Sequence, residues 1–259
     1  MKIAIIGYGK MGHAIERIAR ERGHEIVAII DADNILDFNT PEYRSADVAI
    51  EFTTPATAAD NCIRSFSQGV PVVCGSTGWT SRLPEIQMMC DRGQGTLLWS
   101  SNFSLGVNIF FAVNRCLATL MQGFPQYLPS MTEIHHIHKL DHPSGTAITL
   151  AQGIIEKNGR VKEWTEAEEG AKAEKVAGEE RLVMPIAHRR EGEVPGTHII
   201  SWDSPVDTIT IEHSAKSREG FALGAVVAAE WLKGRKGFQT MDKMMNSLVA
   251  DSALLDMLR

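Results

Sequence analysis

The chain has 259 residues, 44% of them hydrophobic, which is enough for one large core or two modest ones. A net charge of −6 argues against a bulk electrostatic grip on nucleic acid or anionic lipid, since both need basic patches. No apolar run reaches about 18 residues, so no transmembrane helix is expected. The opening MKIAIIGYGKMG is broken by glycines too early for a secretory signal, and a cytoplasmic protein is expected. Cys62, Cys74, Cys90 and Cys116 show no C-x-x-C spacing and sit among apolar neighbours. They read as buried reduced thiols.

In chain order, Lys2–Ile6 is an apolar strand, followed by the turn Gly7-Tyr8-Gly9-Lys10-Met11-Gly12 and a helix over Met11–Arg22. Glu25–Ile30 is a second strand ending at Asp31, and Ala46–Phe52 a third. Thr54 is the expected cap of the next helix, with Pro55 at its first position and Gly69 at its end. Pro71–Cys74, a helix near Ser81–Arg92 and a strand at Thr96–Trp99 continue the alternation. Apolar strands between helices predict a parallel sheet covered on both faces.

The pattern changes after Ser100-Ser101-Asn102-Phe103. A helix over Val107–Met121 leads to a strand near Leu128–Lys139 and a helix from Gly145 to Asn158. Residues 162–181 are charged and alanine-rich and read as an exposed helix or surface connection. Strands are expected at Leu182–Arg190, His198–Asp203 and Thr208–His213, in an antiparallel or mixed sheet. Phe221–Lys233 and Met241–Leu258 close the chain as helices. The fold class is α/β, a doubly wound parallel sheet with a second α+β part.

The glycine turn follows a strand, opens a helix and has an acid, Asp31, further on, which is the context a dinucleotide site requires. Gly7 permits the tight turn, Gly9 lets backbone approach a pyrophosphate, and Gly12 allows close packing. Asp31 suits ribose hydroxyls and repels a 2′-phosphate, and Ala32 brings no cation, so NADH is favoured. Lys10 can reach that phosphate, which keeps NADPH possible. Gly75-Ser76-Thr77-Gly78 follows a strand and borders the same ligand crevice.

Residues 133–147 read EIHHIHKLDHPSGTA. In an extended segment His135 and Lys139 share a face, provided the strand runs that far, while His136 and His138 point the other way. Ser144, Gly145 and Thr146 open a helix whose free N–H groups and hydroxyls form a seat for a ligand carboxylate. The stretch therefore suits an anionic substrate that also needs a proton. His138 and His142 read as bland surface residues. No metal is expected, because no carboxylate or cysteine recurs at ligand spacing beside His136 and His138. Ser144 lacks the G-x-S-x-G elbow of a hydrolytic nucleophile.

The run E-x-H-H-x-x-K-x-D-x-P-S-G-T-A resembles the signature of the 4-hydroxy-tetrahydrodipicolinate (dihydrodipicolinate) reductase family. GYGKMG, EFTTP, GSTG, SSNFSLGVN, REGEVPGTH and HSAKSREGFALGAVVAAEWL extend the likeness over most of the chain. The resemblance implies a Rossmann domain over 1–103, an inserted substrate-binding and oligomerisation domain over 104–216, C-terminal helices over 217–259 that complete the first, and a homotetramer. It implies a role in lysine and diaminopimelate synthesis. It makes His135 the proton donor, Lys139 its cationic partner and His136 a substrate contact. The resemblance further implies that Ser144, Gly145 and Thr146 hold a substrate carboxylate, and that Gly7, Tyr8, Gly9, Lys10, Met11, Gly12, Asp31, Gly75, Ser76, Thr77, Ser100, Ser101, Asn102 and Phe103 line the dinucleotide. Two departures bear on phosphate contacts: the glycine turn is one residue short, and Ala32 stands where arginine is common. Competing readings are an aspartate- or diaminopimelate-type dehydrogenase and a non-catalytic NADH-binding redox sensor.

Overall fold

A computed structural model describes residues 1–176, 181–217 and 219–250. In chain order its strands and helices are β1 (Lys2–Ile6), α1 (Lys10–Glu21), β2 (Glu25–Ile30), α2 (Pro41–Arg44), β3 (Val48–Glu51), α3 (Ala58–Ser67), β4 (Val72–Cys74), α4 (Leu83–Asp91), β5 (Thr96–Trp99) and α5 (Leu105–Met121). Then come β6 (Leu128–His135), α6 (Gly145–Lys157), β7 (Val161–Glu166), β8 (Glu174–Lys175), β9 (Leu182–Arg190), β10 (Thr197–Asp203), β11 (Thr208–Ser214), α7 (Glu219–Leu232), β12 (Gly237–Thr240) and α8 (Met241–Ala250). The chain divides into two compact units, Met1–Asn108 with Glu219–Arg259, and Ile109–Arg218.

The first unit is a six-stranded sheet in the order β12-β5-β4-β3-β1-β2, parallel throughout. Alternation along β1 sends Ile3 and Ile5 into one core with Ile15 and Ile18 of α1 and Ala222, Ala225 and Ala229 of α7. It sends Ala4 and Ile6 into the other, with Tyr43, Cys62 and Ile86. A sheet buried on both faces is what continuous apolar strands demand. Gly224 lets α7 approach closely, since a β-carbon there would fall 1.7 Å from the Phe103 carbonyl oxygen.

The second unit holds a mixed sheet in the order β11-β10-β6-β9-β7, with β8 antiparallel to β9. β10 runs antiparallel to β11 and β6, while β9 runs parallel to β6 and β7. Met131, Met184, Ile186, Ile200 and Trp202 face Phe110 and Ala118 of α5 and Leu150 and Ile154 of α6.

Several expectations are corrected. α3 begins at Ala58 behind Thr57, because residues 54–57 close a turn with the Thr57 amide donating to the Thr54 carbonyl at 3.1 Å. β6 stops at His135, so face alternation does not carry on to Lys139. The charged segment after 161 contains β7 and β8; β7 is an edge strand that buries Val161 and half-buries Trp164 while its charged residues face outward. Short β12 was not foreseen. Cys116 is exposed, unlike the three other cysteines. The expected final helix is seen as α8, and its continuation lies outside the described residues.

Candidate active site

In the first unit, Gly7 has φ +90°, and a β-carbon there would sit 2.1 Å from the Phe52 carbonyl oxygen. Only glycine meets both conditions. At Gly12 a β-carbon would lie 2.3 Å from the Gly7 oxygen, so the turn and α1 are in contact. Nothing stands within 4 Å of the corresponding point at Gly9, which leaves the turn open to a ligand. α1 has neither a side-chain cap nor an acid in its first turn, so its N–H groups are free for phosphate. These residues fit a dinucleotide.

The Asp31 carboxylate accepts from the Tyr8 and Ala32 amides at 3.1 and 2.8 Å, tying the end of β2 to the glycine turn. A cleft lined by Asp31, Ala32, Ile35, Thr53, Thr57 and Arg64 adjoins it. Ser76 is buried; its hydroxyl accepts from the Thr53 amide at 2.8 Å. Its carbonyl accepts from the Trp79 and Trp99 indoles. The Ser100 hydroxyl braces Asn102, donating to its carbonyl and accepting from its amide. Thr77 and Ser101 are exposed. Lys10 is exposed at the helix start and Met11 is half-buried against the core. The Tyr8 side chain turns along α1 to bond Glu16. Phe103 packs in the core against Phe52, which leaves only its backbone available to a ligand.

In the second unit a fully buried carboxylate, Glu133, organises the other residues. It accepts from the Ser144 amide at 3.0 Å, lies 3.5 Å from His135 Nδ1, 3.4 Å from the Arg190 guanidinium and 3.8 Å from His198 Nε2. Strand register explains the convergence: Glu133 pairs with His198 across β10, and His135 pairs with Arg190 across β9. The rings of His135 and His198 stand edge-on, 5.1 Å apart. A β-carbon at Gly196 would come within 3.0 Å of His135 Nε2, so glycine makes room for the imidazole. Burial pushes the His135 pKa down; Glu133 opposes this, while Lys139 and Arg190 reinforce it. Burial, then repulsion from His135, pushes His198 down to about 4.

Ser144 caps α6, its hydroxyl accepting from Ala147 N at 3.2 Å and bonding His198 Nε2 at 3.1 Å. Its side chain is therefore committed, and the open face of the helix mouth is Gly145, where a β-carbon would meet nothing within 4 Å, beside half-buried Thr146. Lys139 arrives by a turn in which its amide donates to the His136 carbonyl, and its ammonium pairs with Asp141 at 2.7 Å. Arg190 holds this turn by donating to the carbonyls of Lys139 and Asp141. His136 Nδ1 is buried without a partner. His138 pairs with exposed Glu193.

A family model for the N-terminal part of dihydrodipicolinate reductase matches residues 1–103, and one for its C-terminal part matches residues 106–245. This chain belongs to the dihydrodipicolinate reductase family. It is 45% identical to the 4-hydroxy-tetrahydrodipicolinate reductase of Christiangramia forsetii, over 96% of this chain and 99% of that one. It is 34% identical to the Staphylococcus epidermidis enzyme of the same name, over 94% and 100%. Among solved structures, the dipicolinate-bound dihydrodipicolinate reductase of Paenisporosarcina sp. TG-14 matches its fold with a TM-score of 0.71, at 22% identity over 93% of this chain and 97% of that one.

Within this dihydrodipicolinate reductase family member, sequence reading assigned no role to Glu133, Arg190 or His198. The signal available was the acid two residues before His135 on the same strand face. The other two are far in sequence and join only through strand pairing. Arg64 was also missed; it lines the Asp31 cleft from α3 and provides a cation that position 32 lacks.

Proposed function

We propose that this chain reduces 4-hydroxy-tetrahydrodipicolinate, a cyclic imine dicarboxylate, to tetrahydrodipicolinate with NAD(P)H, in lysine and diaminopimelate synthesis. Family membership over nearly the whole chain supports the reaction. The residue roles rest on one observation: the imidazole of His135 and the helix mouth at Ser144 share the buried Glu133 carboxylate.

The glycine turn and Asp31 hold the dinucleotide, whose reduced nicotinamide supplies hydride when bound. Gly145 and Thr146 donate to a substrate carboxylate at the start of α6. His136 contacts the substrate, and Lys139 opposes negative charge developing at the ring nitrogen. His135 supplies the proton. Its affinity for that proton rises when substrate carboxylates come near, because the charged form then gains a partner. Asp31 favours NADH, and Arg64 in the same cleft lets NADPH compete.

The chain acts in the cytoplasm as a homotetramer. Half-buried Ile134, Val183 and Ile199, on the sheet face turned from the helices, support assembly through that sheet. No helix among the described residues is long and apolar enough to cross a membrane.

The test supplies the aldol product of pyruvate and aspartate semialdehyde and follows loss of reduced-nicotinamide absorbance with NADH and NADPH separately. Turnover is expected with both. No loss above background with either coenzyme would refute the reaction. His135→Ala should lower kcat by about 10²-fold or more with little change in KM. Thr146→Ala should mainly raise KM. Wild-type turnover by His135→Ala would remove the donor assignment.

A further inference from the structure

We infer that the second unit carries a binding site for a zinc-class divalent ion, formed by His142, Glu166 and His188. The three residues come from the loop after β6, the end of β7 and the C-terminal part of β9. One potential ligand atom from each lies within 4.8 Å of the others. His142 Nδ1 is 2.9 Å from Glu166 Oε2, and His188 Nδ1 is 3.6 Å from the same oxygen. Bonds of about 2.0–2.1 Å at a tetrahedral ion place neighbouring donors about 3.3 Å apart, close to both distances.

Hydrogen bonding alone leaves the arrangement incomplete. Glu166 satisfies His142, but the contact to His188 is too long for a hydrogen bond. His188 Nδ1 is shielded from solvent and has no other partner. The two imidazoles stack nearly parallel, 15° apart with centroids at 4.4 Å, so one ring has to turn for both in-plane lone pairs to meet a single ion. A divalent ion satisfies both nitrogens and the carboxylate together, leaving further positions for water. Two histidines and one carboxylate suit zinc and its neighbours rather than magnesium or calcium.

Such an ion would tie the loop carrying Lys139 and Asp141 to β7 and β9. The proposal stands apart from the Glu133 group, which is also a set of three potential ligands. It does not depend on the reductase reaction.

The experiment titrates the full-length chain, freed of metal by a chelator, with Zn²⁺ against a chromophoric competitor. Co²⁺ serves as the spectroscopic probe. We expect one ion per chain, visible Co²⁺ absorption, and a rise in Tm on adding Zn²⁺. His188→Ala and Glu166→Gln should each weaken binding by at least about tenfold, since even outer-sphere partners cost that much. His138→Ala, a surface histidine elsewhere, should bind as wild type does. If a variant melts abnormally without metal, His142→Asn replaces it, because that side chain is half exposed and carries no core packing. Binding that survives these variants but is lost in His198→Ala would move the ion to Glu133 and overturn the site. Wild-type binding no tighter than that of the variants would overturn it as well.

Discussion

At the residue scale, Glu133 is the group that most changes the reading of the motif. A fully buried carboxylate is costly unless its oxygens are occupied, and here an amide, a guanidinium and two imidazoles surround it. It holds His135 and the helix mouth at Ser144 in one frame, so for the proposed proton donor and anion seat it is a positioning residue. Glu133→Gln keeps the shape and removes the charge that favours a protonated His135. The alkaline limb of the kcat–pH profile should then move to lower pH, and kcat at neutral pH should fall by roughly tenfold or more. An unmoved profile with only a lowered Tm would make Glu133 purely structural. The Asp31 cleft offers a second test at this scale. Arg64→Ala should weaken NADPH by about tenfold and NADH much less, as read by nicotinamide fluorescence titration. Equal losses would mean that Arg64 does not meet the 2′-phosphate.

At the element scale, close approaches decide whether helices can dock. The β-carbon missing at Gly224 would fall within the Phe103 carbonyl, so Gly224→Ala must push α7 away from the chain beneath it. Overpacking of this kind costs about 1–3 kcal/mol or more. A clear drop in Tm is expected, and an unchanged melt would mean that α7 shifts without loss. β7 carries a different lesson. Its sequence, VKEWTE, is mostly charged, yet it forms an edge strand because pairing with β9 and the burial of Val161 suffice. β6 shows the converse. The histidine-rich run looks extended to Lys139, but a turn takes over after His135, with the Ile137 amide donating to the Gly192 carbonyl.

For the whole molecule, acid should be more damaging than the modest net charge suggests. Burial holds His135, His198 and His213 below their ordinary pKa, His198 at about 4 against 6.5. Between those values the unfolded chain binds protons that the folded chain refuses. Stability is therefore intact above about 6.5 and erodes as pH falls towards 4, by about 3 kcal/mol from His198 once complete. Urea unfolding at pH 7 and pH 5 should show this loss, and His198→Gln should flatten the dependence. A loss undiminished in that variant would assign the acid sensitivity to other groups.

Local pattern by itself determined the alternating strands and helices of the first unit, the glycine turn and its acid, and the run from His135 to Thr146. Periodicity, caps and tight turns are written in neighbouring residues, so they can be read without coordinates. Only the tertiary structure brought Arg190 and His198 to Glu133, Arg64 to Asp31, and Glu166 and His188 to His142. Each meeting depends on strand register or helix docking between segments distant in sequence, and the buried contacts that set it leave no mark at the positions they join.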